Sequence, residues 1–314
     1  MSVTVQKQQR AVKPAAGRRV SATKGARIEA TASGLMVAPA VLLLLVFFFV
    51  PVLLAFILAF TNARLISPTP TTFAGLDNFT RLFQDPLFWR SLRNTIYFAV
   101  VVVPVQSALA LLLALLINVR MPGTTFFRTL YFVPVVTSIV VVSILWKFMY
   151  QPDGLVNHML QALSFNAIQG TDWLNNPGAA MPAIIVMSIW QAVGFHMVIW
   201  LSGLQTISPD LYEAADLDGA GPWQKFRYVT WPGLRNTRTF ILVTITIAAL
   251  SLFAQINIMT NGGPLDATTT VVFQAVRVGY QQQQTAYASA ISLAFFILVL
   301  AVSLVQRYLT REKD

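Results

Sequence analysis

The chain has 314 residues, 56% of them hydrophobic and only 11% charged, far from the roughly one quarter charged of a soluble domain, so it needs a non-aqueous solvent. The absence of cysteine excludes disulfides, thiolate metal sites and cysteine nucleophiles, and two histidines do not make a histidine-rich metal centre. The net charge of +10 does not point to nucleic acid, because apolar runs rather than a basic stripe dominate the sequence.

Residues 1–34 form the first segment. The stretch 1–30, rich in Lys, Arg, Gln, Ala and Thr and without a large aromatic, cannot bury enough surface to fold. It is expected to be a disordered basic cytoplasmic tail suited to anionic headgroups. From 30 to 63 no side chain ionises, and 35–60 is almost wholly Leu, Val, Phe and Ala. About 20 such residues cross a hydrocarbon core of about 30 Å. The run is too long for a signal peptide, whose apolar region is about 7–15 residues. Further apolar runs at 95–117, 129–150, 181–206, 239–259 and 285–305 predict an all-α integral membrane protein with six transmembrane helices.

Marks inside these runs read mostly as packing. Pro39, Pro51, Pro104, Pro134 and Pro182 each remove a backbone donor and kink a helix, which membrane helices tolerate. Lys147, the only Lys or Arg inside a run, is expected to snorkel to the interface, and Trp89, Trp146, Tyr150 and Trp173 to sit in aromatic belts. Positive loop residues stay cytoplasmic. Placing the amino terminus inside puts the basic residues of 7–27, Arg120, Arg128, Lys225, Arg227, Arg235, Arg238, Arg307, Arg311 and Lys313 there, against Arg64, Arg81, Arg90, Arg93 and Arg277 outside. Both termini are then cytoplasmic.

Between the fourth and fifth runs, at about 207–236, lies a segment with its own punctuation. Ser208 reads as a helix cap, Pro209 as the first helical residue, and Asp210 and Glu213 as first-turn acids. Gly219 and Gly221 interrupt that helix, Pro222 starts a second, and Trp231-Pro232-Gly233 stops it. The expectation is a helix, glycine hinge, helix unit outside the membrane. Its apolar side chains, among them Leu211, Tyr212, Leu217, Trp223, Phe226 and Tyr228, need a partner surface.

Within this segment Glu213-Ala214-Ala215, Asp218-Gly219-Ala220, Phe226 and Trp231-Pro232 resemble the EAA loop of permease subunits in binding-protein-dependent ABC importers. Trp231, where an aliphatic residue is usual, and Asn236, where a second proline often follows, depart from that pattern. The resemblance extends over most of 35–314 and is to the carbohydrate class, similar to the first permease of maltose-type and glycerol-phosphate-type systems. It is carried by Phe73-Ala74-Gly75-Leu76-Asp77-Asn78-Phe79, Asp85-Pro86-Leu87-Phe88-Trp89, Trp146-Lys147, Gly154-Leu155-Val156-Asn157 and Thr260-Asn261-Gly262-Gly263-Pro264.

The resemblance implies a transmembrane domain over 35–314 in a bacterial inner membrane. It implies a second homologous permease, an ATPase subunit dimer that carries ATP and Mg, and an extracytoplasmic substrate-binding protein, with no cofactor held by this chain. The coupling residues it implies are Tyr212, Glu213, Ala214, Ala215, Asp218 and Gly219, with Glu213 the docking anion and Gly219 the turn. The cargo is a sugar or related polyol; glycerol phosphate or a glycerophosphodiester is the alternative. The chain has no G-x-x-x-x-G-K-S/T loop, so it is not itself expected to be an enzyme. An ion-coupled transporter is disfavoured because Asp, Glu and Arg are missing from every apolar run, and a membrane hydrolase or transferase because no catalytic constellation is visible.

A sugar path wants amides for hydroxyls and aromatic faces for C–H patches. The fourth run offers Ser188, Trp190, Gln191 and Phe195, and the fifth offers Ser251, Gln255 and Asn257. Ser188, Ala192 and Phe195, with Ala249 and Leu252, occupy places that resemble substrate-contacting positions of maltose permeases. Interhelical hydrogen bonding uses the same residue types and is the competing reading. His196 is read as packing.

The charge asymmetry sets a topology test. An impermeant maleimide applied to intact cells is expected to label a cysteine introduced at Asn157 and to spare one at Arg10 or Ala215; labelling of Ala215→Cys from outside overturns the topology.

Overall fold

The computed structural model describes residues 33, 35–66, 70–118, 123–165 and 170–310. The basic tail, apart from Ser33, lies outside them, as do Arg120, Arg311 and Lys313. The described residues are almost entirely helical, and their one β contact is an isolated bridge between Thr61 and Phe73.

Helix α1 (Leu35–Leu58) includes a π-helical turn, Leu45–Phe49, directly before Pro51, whose missing N–H breaks the regular ladder at that point. Every side chain from 35 to 54 is exposed, the condition of a helix that is apolar all round and has lipid as its solvent.

From Ala55 onward the helices are α2 (Asp77–Gln84), α3 (Pro86–Ile117), α4 (Thr124–Val136), α5 (Ile139–Met149), α6 (Leu155–Leu163), α7 (Ala180–Gln205), α8 (Pro209–Leu217), α9 (Pro222–Lys225), α10 (Arg235–Leu250), α11 (Ala254–Met259), α12 (Val271–Val276) and α13 (Thr285–Thr310). Among the described residues, five helices are long and apolar enough to cross a membrane: α1, α3, α7, α10 with α11, and α13. The pair α4 and α5, bent by 97°, makes a sixth if it is one span.

The third and fifth runs differ from their expected form. The third is continuous in the sequence reading but breaks at Thr137 and Ser138, whose backbones are extended. Pro134, one turn upstream, has already removed a donor, and Thr137 Oγ1 takes up the Val133 carbonyl at 3.1 Å. The fifth stops at Leu250 and restarts at Ala254. The Leu252 carbonyl freed at that break accepts from Thr270 Oγ1 at 2.8 Å. Helix α3 begins at Pro86, well before 95, because the Asp85 carboxylate accepts from the Leu87 N–H at 2.9 Å and caps it.

Helix α7 packs along α3, and α10 closes on α3, around Ile184, Met187, Met197, Trp200, Ile241 and Ile245, all fully buried. Gly194 lets α7 touch the Tyr131 backbone of α4, where any Cβ would overlap the Tyr131 carbonyl. Three of the four aromatics expected in interfacial belts, Trp146, Tyr150 and Trp173, form a continuous ladder with Trp190. Trp190, Trp146, Tyr150 and Trp173 follow one another at ring separations of 5.5, 5.3 and 5.9 Å. The ladder ends on polar anchors, Tyr150 OH donating to the Ala183 carbonyl at 2.9 Å and Trp173 Nε1 to Asn157 Oδ1 at 2.9 Å.

Asn157, 2% exposed, ties this region together. Its Nδ2 donates to the carbonyls of Gln151, Pro152 and Thr171 at 3.2, 3.0 and 2.8 Å, while Oδ1 also accepts from the Thr171 N–H at 3.1 Å. It is therefore a poor labelling position, and Phe165, 94% exposed, replaces it in the topology test. Asn157→Ala leaves these buried groups unpaired and is expected to cost about 2–3 kcal/mol. Asn157→Asp, which cannot donate to three carbonyls, is expected not to rescue; thermal unfolding of the detergent-solubilised complex reads both.

Candidate transport path and docking loop

The sequence-selected path residues divide into an open group and a closed one. On α7, Trp190 and Phe195 are exposed and Gln191 is half-buried, whereas Ser188 is buried with its Oγ unpartnered among the described residues. Phe195 lies edge-on to His196 with ring centroids 5.2 Å apart. His196 itself is buried, its Nδ1 2.8 Å from Gln106 Nε2 and 3.1 Å from the Ala192 carbonyl oxygen. Gln191 Nε2 donates to the Pro134 carbonyl at 3.4 Å, so its amide braces the α4 segment just before the break.

At the fifth-run break, Ser251 and Asn257 are exposed and Gln255 is half-buried, while Leu252 is 3% exposed and offers only its backbone carbonyl, already taken by Thr270. Ser251 Oγ donates to the Ile247 carbonyl at 2.8 Å. Short α11 packs on α5 and is tied to it by Lys147 Nζ, which donates to the Ile258 carbonyl at 3.2 Å. Two broken helices thus meet beside the Trp190–Trp146 stack, and their freed carbonyls are covered by Gln191, Thr270 and Lys147. Sequence reasoning missed these three as break-covering donors, because the partner of a backbone carbonyl far along the chain leaves no local pattern. A polar side chain beside a break is the one available signal.

The segment between α7 and α10 folds from the caps outward. Ser208 Oγ accepts from the Asp210 N–H at 3.3 Å and Pro209 opens α8. The turn after α8 needs Gly219, whose φ is +73°, a left-handed conformation that side chains resist. Helix α9 starts at Pro222, with the Gly221 N–H donating to Gln224 Oε1 at 2.8 Å, and runs on through a π-helical turn (Phe226–Thr230) to Trp231–Gly233. Tyr212 OH and Thr230 Oγ1, 3.0 Å apart, pin α8 to that turn, and Asp216 pairs with Lys225. Phe226 stacks on Trp223 and contacts Trp231, over which the Arg238 guanidinium lies at 4.6 Å. Tyr212 and Phe226 are thus satisfied internally. Leu211, Leu217, Trp223 and Tyr228 stay exposed, Leu217 at 90%, alongside the exposed Glu213 and Asp218. Ala214 is exposed and Ala215 half-buried on the same helix.

A chain whose described residues are almost entirely helical, with five or six membrane-length apolar helices, two of them broken, and a capped helix–glycine–helix unit between α7 and α10, has the architecture of a transporter permease. Residues 88–313 match the family described as the binding-protein-dependent transport system inner membrane component, and the chain belongs to that family. It is 35% identical over 283 residues to the lactose transport system permease protein LacF of Rhizobium radiobacter, covering 89% of this chain and 94% of that one. It is 33% identical over 278 residues to the trehalose/maltose transport system permease protein MalF of Thermococcus litoralis, covering 88% and 92%. Among solved structures it resembles a chain of a bacterial ABC transporter involved in the import of the acidic polysaccharide alginate, with TM-score 0.80, 27% identity, and coverage of 91% and 97%. The chain is an inner-membrane permease component of an ABC importer, and a separate ATPase drives transport.

Exposure distinguishes two kinds of position on α7. Phe195→Ala is expected to weaken apparent uptake affinity by roughly 1–3 kcal/mol, the scale of one lost stacking face, at unchanged yield of intact complex. Gly194→Ala, which must displace the Tyr131 backbone, is expected to lower that yield instead. Equal loss of yield in both variants, with affinity unchanged in what remains, makes Phe195 structural.

Proposed function

We propose that this permease forms, with a second homologous permease, the path for an uncharged sugar or related polyol, and that the segment 207–236 couples it to an ATPase dimer. The path residues in this reading are Trp190, Gln191, Phe195, Ser251, Gln255 and Asn257, with Ser188 and Leu252 shaping it from behind. The observation that carries the reading is the chemistry around the two helix breaks, where aromatic faces, amides and hydroxyls are present with neither carboxylate nor guanidinium among those side chains, and where the Lys147 ammonium is engaged by the Ile258 carbonyl. The named transport systems of the relatives, for lactose and for trehalose and maltose, support the same class. A binding protein delivers the cargo from outside, in line with the family description and with a related alginate importer solved with its periplasmic protein. Six spans with both termini cytoplasmic follow if α4 and α5 are one broken span, consistent with the distribution of Lys and Arg.

In the coupling unit, Glu213 and Asp218 present anions and Leu217, Trp223 and Tyr228 an apolar surface for the ATPase, while Tyr212, Ala214, Ala215 and Gly219 set the shape of the helix and turn. Glu213→Lys is expected to leave insertion intact and to abolish substrate-stimulated ATP hydrolysis in reconstituted vesicles. Gly219→Pro, which cannot adopt φ +73°, is expected to do the same. Unchanged stimulation in both variants removes the coupling assignment.

A further inference from the structure

A cleft of about 640 Å³ opens between the end of α5, the 172–175 segment and α11 with the turn after it, within the size range of small-molecule sites. Its polar lining includes Lys147, Gln151, Asp172, Asn175, Asn257 and Asn261. Four of these have unused hydrogen-bonding capacity. The Lys147 ammonium carries three donor hydrogens and gives one to the Ile258 carbonyl at 3.2 Å. The side chains of Asn257 and Asn261 make no hydrogen bond to the protein among the described residues, and both are exposed. Asp172 accepts from the Asn175 side chain at 3.0 Å and backbone at 3.4 Å, which leaves lone pairs on its carboxylate. Leu174, Met259 and Pro264 add apolar patches between these heads.

The composition of the cleft differs from that around Trp190 and Phe195. It has donors and acceptors in abundance and one charge of each sign, so no net field selects an ion. Such a set matches vicinal hydroxyls, each of which donates and accepts at once. It is contiguous with the path through α11, which carries both Asn257 and Gln255, and with the aromatic ladder through Tyr150, which lines the cleft and is two steps from Trp190.

We propose that this cleft is an outer saccharide subsite, in which Lys147, Asp172, Asn257 and Asn261 hold an uncharged sugar unit before it reaches Trp190 and Phe195. The proposal rests on the carbohydrate reading above, assigns Asn257 to this outer end of the path, and adds the cleft to the stripe at Trp190 and Phe195 as a second place where the cargo is recognised. Lys147 thereby has two tasks, fixing α11 on α5 and presenting its remaining donors to the sugar.

The test uses the complete complex, with partner permease, ATPases and binding protein, in proteoliposomes. The probes are lactose, maltotriose, raffinose and sn-glycerol 3-phosphate. Because the chain has no cysteine, Asn257→Cys supplies a single label on this subunit for an impermeant maleimide. The sugar that drives uptake is expected to slow labelling at least about tenfold. Lys147→Met and Asn257→Leu are each expected to raise the half-saturating concentration for that sugar about tenfold. Asn257→Leu breaks no bond within the protein, so it separates recognition from the structural task of Lys147. A sugar that is transported without slowing the label, or an unchanged half-saturating concentration in Asn257→Leu, overturns the subsite and leaves the carbohydrate reading standing. Uptake of sn-glycerol 3-phosphate alone, or of nothing in the panel, overturns the carbohydrate reading and the subsite with it.

Discussion

Within hydrocarbon a backbone carbonyl or N–H finds no water, so each must be satisfied by the protein itself. Continuous helices do this automatically, and the long α3, α7 and α13 are the result. The constraint becomes visible where helices stop. At the break between α4 and α5 the Val133 and Pro134 carbonyls are covered by Thr137 and Gln191, at the break between α10 and α11 the Leu252 carbonyl is covered by Thr270, and near the end of α11 the Ile258 carbonyl is covered by Lys147. These donors come from other segments of the chain in three of the cases. The irregular backbone therefore cannot exist without the packing of α5, α7 and α12 around it. Broken helices are where transporters place binding groups, because there backbone and side-chain polar atoms face a cavity, and in the proposed reading packing and path are one arrangement.

The same constraint relaxes outside the membrane, where the proposed reading places the 207–236 segment, and that segment follows different rules. Its shape is set by short-range devices: a Ser cap, proline at first helical positions, and one glycine with positive φ. Its internal contacts, Tyr212 with Thr230 and Phe226 with Trp223 and Trp231, hold it rigid while leaving Leu217, Trp223 and Tyr228 uncovered. A rigid unit with an uncovered apolar surface loses little side-chain entropy on docking. That is the property wanted of an element that must transmit a displacement rather than absorb it.

How legible each part was in the sequence follows from the range of the interaction that fixes it. The apolar runs, the Ser208-Pro209 start and the glycine turn are local and were readable. So was the Asp85-Pro86 pair, yet the second span was begun at 95, because hydropathy marks where lipid begins and not where a cap starts the helix. The breaks were not readable. Pro134 was visible, but five prolines lie in apolar runs, and which of them accompanies a true break depends on distant partners such as Gln191. Asn157 stood in a recognised loop motif without any sign that it satisfies three carbonyls, since those partners come together only when the 151–152 and 171–173 segments meet. Lys147 and the belt aromatics were assigned by depth, and their actual contacts are tertiary.

The distribution of exposure along α7 bears on how much of a path one such chain can make. The helix is buried over most of its length, yet Val186, Trp190, Phe195 and Val198 are uncovered. Lipid alone would accept the valines and Phe195, whereas Trp190 and the half-buried amide of Gln191 on the same face also suit half of a sugar path. A channel wall needs an opposite wall, and the described chain supplies none across this stripe. In the proposed reading, the outer cleft is built within one subunit and the inner stripe is completed by another. The outer cleft takes its donors from α5, α11 and the loops of a single chain, so it is able to hold a sugar unit whatever the second permease does. In that reading the inner stripe binds only when both walls approach, and its affinity then depends on the conformation that the ATPase sets.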